Sequence, residues 1–97
     1  MVRKEFSTAF IQISNDDRVT VWHISIYIAI LFIWYENGYK NPVPVTRKWI
    51  MRLAHISSIA TYHKCIRELQ EFGYLIYSPS FNPSVGSRVS LFATLNN

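Results

Sequence analysis

The sequence has few acidic residues and a long central stretch without any. It contains six Asp and Glu against ten Lys and Arg, a formal net charge of +4. No acid occurs from residue 37 to residue 67, whereas six cations lie between residues 40 and 67: Lys40, Arg47, Lys48, Arg52, Lys64 and Arg67. Positive charge concentrated in this way favours a polyanionic partner such as nucleic acid over an ordinary solvated helix surface.

Cysteine is nearly absent, since Cys65 is the only one. A single cysteine forms no intramolecular disulfide, so we expect a buried free thiol and a reducing compartment, the cytoplasm. Polar and charged residues follow Arg3 and Lys4 where a secretory signal needs an apolar segment, so we expect no such signal.

Groups of residues typical of metal sites and active sites are also lacking. The three histidines, His23, His55 and His63, have no second cysteine to complete a metal site with them. The sequence has no glycine loop for phosphate and no nucleophile elbow. We therefore expect no metal, no cofactor and no enzymatic activity.

One apolar run is long enough to be tested as a membrane span. Residues 19–35 reach the lower end of the length that crosses a bilayer. The run is interrupted by Thr20, His23 and Ser25, and its most apolar part covers only residues 24–35. We therefore predict a buried helix within residues 17–36 that begins at about Asp17 or Thr20 and is ended by Asn37-Gly38, and we expect no membrane partner.

Residues 1–97 are expected to form one domain. Residues 6–13 alternate loosely, so we predict an N-terminal arm or strand within residues 1–15. Residues 46–72 predict two helices, with Thr46 as the first cap and Ser57 or Ser58 as the second; Trp49, Ile50 and Leu53 should face inward. Residues 74–92 predict a β-hairpin, and a short strand is possible over residues 43–45.

The segment Ser58 to Leu75, SIATYHKCIRELQEFGYL, resembles the recognition helix of bacterial winged helix-turn-helix regulators. The matching pattern has a Ser, then a Thr three residues later, a small residue within an apolar stripe, and a Gly before two apolar residues. The whole chain is also similar to small winged-helix proteins of bacterial mobile elements and phages, including replication-initiator N-terminal domains. The fold class implied is α+β, mainly α, with three helices and a C-terminal β-hairpin wing.

This resemblance implies which residues face DNA. Ser58, Thr61, His63, Lys64 and Arg67 match DNA-facing positions, while Tyr62, Cys65, Ile66 and Leu69 match the core. Many such regulators have an arginine where this chain has Ile59, which we expect to be buried rather than to touch a thymine methyl. Other residues are expected to contact the DNA backbone. Together with those named above, they form the predicted DNA-binding set: Arg47, Lys48, Ser57, Ser58, Thr61, His63, Lys64, Arg67 and Arg88.

Apolar residues surround the whole circumference of the predicted helix at 17–36, more than a small domain can cover. The remaining apolar surface must be covered by residues 6–13, by a second copy of the chain, or by both. We predict a homodimer, with Val21, Ile24, Ile28, Leu31 and Tyr35 at the interface. The leading hypothesis is a sequence-specific double-stranded DNA-binding protein, a transcriptional regulator or a mobile-element accessory factor. The alternative is a winged-helix module that docks proteins and does not bind DNA.

Overall fold

The computed structural model describes residues 2–80 and 86–91, with side chains described from residue 7. Its helices are α1 (Val2–Ser14), α2 (Val21–Glu36), α3 (Arg47–Ala54) and α4 (Ile59–Glu71). Its strands are β1 (Val43–Val45), β2 (Leu75–Ser78) and β3 (Ser87–Leu91). The described part of the chain is therefore an α+β structure, mainly helical, with four helices and a three-stranded sheet.

Helix α2 is the centre of the hydrophobic core. Eight of its residues are buried: His23, Ile26, Tyr27, Ala29, Ile30, Leu31, Ile33 and Trp34. At its C-terminus the side chain of Asn37 donates to the Ile33 carbonyl over 2.8 Å, and Gly38 takes the left-handed conformation that turns the chain away. The helix begins at Val21, directly after Thr20, the later of the two predicted starts. It does not begin at Asp17, because residues 16–19 form a turn in which the Val19 N–H donates to the Asp16 carbonyl.

The prediction of an arm or strand over residues 1–15 was wrong. The chain forms α1 there, with Ala9 and Ile13 buried four residues apart on one helix face. The helical spacing of these two residues prevails over the loose alternation of their neighbours.

The sheet is antiparallel, in the order β1-β3-β2. Val43 and Val45 of β1 are buried, and the proline between them lies on an edge strand, where a missing N–H is tolerated. The side-chain amide of Asn41 extends this pairing, since it donates to the Leu91 carbonyl and accepts from the Leu91 N–H. The hairpin expected within residues 74–92 and the short strand at 43–45 are both confirmed; residues 81–85 and 92 lie outside the described residues.

One predicted interface residue does not fit its role. Leu31 is 1% exposed, so it belongs to the core of its own subunit and is excluded from any dimer interface. Its neighbour Phe32, which the prediction omitted, is 46% exposed. The error arises because a helix apolar on every side gives no sequence signal for which stripe faces inward.

A polar cluster joins the end of α1 to the start of β2. The Asp16 carboxylate accepts from the Tyr74 hydroxyl over 2.7 Å and forms an ion pair with Arg18, also at 2.7 Å. Hydrogen bonds from Arg18 and Tyr74 hold the pKa of Asp16 well below its usual range. Burial, together with the hydrogen bond to Asp16, raises the pKa of Tyr74 to about 12.

The Asp16 cluster predicts a particular loss of stability in acid. A carboxylate with a depressed folded-state pKa stabilises the fold above its unfolded value of 3.8 and loses that contribution as the pH falls below it. Urea unfolding measured from pH 7 down to pH 2 should give the wild type a larger free energy of unfolding than Asp16→Asn. The difference between the two should shrink below about pH 4. A difference that does not vary with pH would contradict this assignment.

Candidate nucleic-acid interface

Two capped helices, α3 and α4, meet at a tight turn. The Thr46 hydroxyl accepts from the Trp49 N–H and the Ser58 hydroxyl accepts from the Thr61 N–H, each over 3.1 Å. His55 ends α3 in the left-handed conformation, with φ 59°, which reverses the chain without a glycine. The predicted caps at Thr46 and Ser58 are therefore confirmed.

The two faces of α4 are chemically distinct. Its inner face is buried in the core and consists of Tyr62, Cys65, Ile66 and Leu69, as the sequence predicted. Burial raises the pKa of the Cys65 thiol, consistent with a structural side chain. Its outer face exposes His63, Lys64 and Arg67, while Thr61 is half-buried.

Positive charge extends from α4 onto α3. Arg47, Lys48 and Arg52 of α3 are all exposed, as are Ser57 and Ser58 in the turn. Arg67 lies 4.0 Å from Glu71 in an exposed pair, which is a weak interaction. Across residues 7–80 and 86–91, the other cations of these two helices form no ion pair. Their charge is therefore available to an external anion.

Arg88 lies within β3. It pairs with Ser78 of β2 and Pro44 of β1, and its side chain is exposed. Neighbouring Val89 is fully buried, so the strand alternates between the core and the outer face. Arg88 is thus a cation held on the central strand of the sheet.

A partly buried hydrogen bond from α2 helps to fix the orientation of α4. The Nδ1 atom of His23 accepts from the Thr20 N–H over 2.9 Å, so Nε2 carries the ring proton in the neutral histidine. That Nε2–H donates to Glu68 over 2.8 Å, and the His23 side chain is only 4% exposed. Only the fold reveals this partner of Glu68, which lies 45 residues away along the chain.

Further contacts fix both ends of the helix pair. Phe72 packs against His23, with ring centroids 5.7 Å apart, and the Arg18 guanidinium covers the Phe72 ring at 4.2 Å. The Gln70 side chain accepts from the Tyr77 N–H over 2.6 Å, joining α4 to β2. Ser25 donates to the Ala54 carbonyl over 2.5 Å and so holds the end of α3.

Three apolar residues predicted to face inward are exposed. Ile59 is 48% exposed at the first position of α4, and Trp49 and Leu53 of α3 are each 37% exposed. The inward face of α3 is instead formed by Ile50 and Ala54, since a helix of eight residues buries only one narrow stripe. The expectation that Ile59 is buried was therefore wrong, and its side chain lies at the surface beside the basic face.

The part of the chain that the structure describes contains no candidate membrane span and no candidate metal cluster. Helix α2, the most apolar one, is 16 residues long, and no helix among residues 2–80 combines the length and apolarity needed to cross a bilayer. The same residues contain no group of three or more His, Cys, Asp or Glu side chains arranged to hold a metal ion.

Comparisons with protein-family models, curated proteins and solved structures found no match for this chain. What the basic surface binds must therefore be inferred from its own residues.

The partly buried bond between His23 and Glu68 gives a stability prediction. Glu68→Leu leaves a buried N–H donor without its partner, which we expect to cost about 1–3 kcal/mol of unfolding free energy. Glu68→Gln retains a carbonyl oxygen that can accept, and should cost less. Glu71→Gln, on the exposed last turn, is the matched control and should change little. Equal losses for Glu68→Leu and Glu68→Gln in urea unfolding would contradict the proposed bond.

Proposed function

We propose that this chain is a sequence-specific double-stranded DNA-binding domain of the winged-helix type, in which α4 enters the major groove. In this arrangement α3 braces α4 against the DNA backbone, and the hairpin of β2 and β3 is the wing. Support comes from the order of the elements, the capped turn between α3 and α4, and the three-stranded sheet that follows from pairing β1 with the hairpin.

The observation that carries this proposal is the composition of the outer face of α4. Its 13 residues make a helix about 20 Å long, and a B-DNA major groove admits a helix of this kind. One face is buried against the protein, while the opposite face presents His63, Lys64 and Arg67. An outer face with only these three residues could contact many kinds of partner. Because unpaired cations of α3 lie beside it, the combined surface favours a partner that carries phosphates.

Different residues take different parts in this proposal. Thr61 and Lys64 reach base edges, whereas Arg47, Lys48, Arg67 and Arg88 bind mostly phosphates. His63, Ser57 and Ser58 line the same approach. Because Ile59 is exposed at the start of α4, its side chain is available to contact a thymine methyl group. The role is binding without catalysis, in the cytoplasm of a bacterium, as a transcriptional regulator or an accessory factor of a mobile element.

One observation favours a second candidate function, docking to another protein. Trp49 and Leu53 expose apolar surface on α3, next to the basic residues. Aromatic side chains of this kind are frequent at protein interfaces. A binding assay with duplex DNA distinguishes the two functions. A docking module should show no Lys64-dependent affinity for duplex DNA.

Lys64 is expected to read bases. Lys64→Ala should weaken binding to the preferred duplex by roughly 1–3 kcal/mol and change binding to random duplexes much less. Fluorescence anisotropy on both duplexes measures this difference. Gln12→Ala, at an exposed position of α1, is the control and should leave the preference unchanged. An equal loss on both duplexes would exclude Lys64 from sequence recognition.

Arg47 and Lys48 are expected to bind phosphates, so their effect should not depend on sequence. Replacing both with alanine should weaken all duplexes together. It should also reduce the slope of log K against log salt by about 0.9 for each lost phosphate contact. Binding isotherms at several salt concentrations measure the slope, and an unchanged slope would contradict these contacts.

A further inference from the structure

Helix α2 exposes a line of apolar side chains that we call the α2 stripe: Val21, Ile24, Ile28, Phe32 and Tyr35. Val21 is 72% exposed, Tyr35 is 54% exposed, and Ile28 and Phe32 are each 46% exposed. Ile24 is half-buried. Contiguous apolar surface of this kind is rarely left uncovered by a monomeric protein, so the α2 stripe requires an occupant.

The spacing of the α2 stripe is symmetric about Ile28. Its other members lie seven and four residues before Ile28, and four and seven residues after it. With 3.6 residues per turn, all five lie within about 40° of one line along the helix, and they span about 21 Å. The spacing of the stripe residues is therefore the same when the helix is read in the opposite direction. Such a stripe can pack against the same stripe of a second, antiparallel copy.

An antiparallel copy of α2 pairs the stripe residue by residue. With a two-fold axis at Ile28, this residue meets its own counterpart, while Val21 lies opposite Tyr35 and Ile24 lies opposite Phe32. Each off-axis pair combines a branched aliphatic side chain with an aromatic one, so the gap between the helices is filled evenly. A two-fold interface requires this kind of self-complementarity, and antiparallel helices pack closely through such a seam.

Charge also favours a second copy over a different partner. No Asp, Glu, Lys or Arg occurs between Val21 and Tyr35, so two stripes meet without like-charge repulsion. An acidic or basic partner would gain nothing there. The neutral stripe also contrasts with the cations of α3 and α4, and it needs no contact with DNA.

We propose that the α2 stripe is a homodimer interface in which two α2 helices pack antiparallel about an axis at Ile28. This interface retains four of the residues expected from the sequence and replaces the buried Leu31 with Phe32. It does not rest on DNA binding, so one proposal can fail while the other still holds.

Charge substitutions at the axis test the interface. Light scattering during size-exclusion chromatography should give wild type a mass of twice 11.4 kDa. Ile28→Glu and Ile28→Lys should each be monomeric, because like charges meet at the axis, and mixing the two variants should restore a dimer. Trp22→Glu, which alters an exposed residue outside the stripe, should stay dimeric. A monomeric wild type, or Ile28→Glu that remains dimeric, would overturn the proposal.

Cysteine pairs test the orientation of the helices. In a Cys65→Ala background with a copper oxidant, Ile28→Cys should cross-link to itself, because residues at the axis are close enough for a disulfide. Val21→Cys mixed with Tyr35→Cys should form a mixed disulfide, and neither variant should cross-link alone. Self-linking of Val21→Cys would indicate parallel helices and overturn the antiparallel arrangement. Circular dichroism checks that every variant is folded.

Discussion

The arrangement of the molecule depends on two polar contacts at the N-terminal end of an otherwise apolar helix. His23 of α2 donates to Glu68 of α4, and Ser25, two residues further on, donates to the last carbonyl of α3. Apolar packing alone tolerates several angles between helices, whereas a buried donor must meet its acceptor. These two contacts therefore help to specify the orientation of α3 and α4 relative to α2.

This placement separates the surface into regions of different chemistry. The inner faces of α3 and α4 pack against the core. The cations of these two helices therefore lie on the exposed outer faces, where there are few acidic residues. The apolar stripe of α2 is a separate, neutral surface. One surface thus suits a polyanion and the other suits a second subunit, and the two uses do not compete for the same residues.

Local signals in the sequence were enough to predict most of the elements. Thr46 and Ser58 cap their helices through hydrogen bonds that reach only three residues, and Gly73 ends the last helix in the left-handed region. The spacing of Tyr62, Cys65, Ile66 and Leu69 was sufficient to identify the buried face of α4. Each of these features depends on neighbours within about two turns.

The errors concern features that depend on distant parts of the chain. Whether Glu68 is solvated or bonded depends on a histidine 45 residues away. Leu31 and Phe32 are adjacent and both apolar, and only the packing of the other elements decides which one is buried. Ile59 is apolar yet exposed, whereas Tyr62 and Ile66, further along α4, are buried. The N-terminal segment was misassigned because its weak alternation hid the helical spacing of Ala9 and Ile13.

The central claim is that the outer face of α4 recognises a DNA sequence. Selection of bound fragments from a random duplex library at about 150 mM salt tests it most directly, because weak surface electrostatics are largely screened there. The account predicts enrichment of one sequence motif by the wild-type chain. Binding without enrichment, or no binding at all, would contradict it.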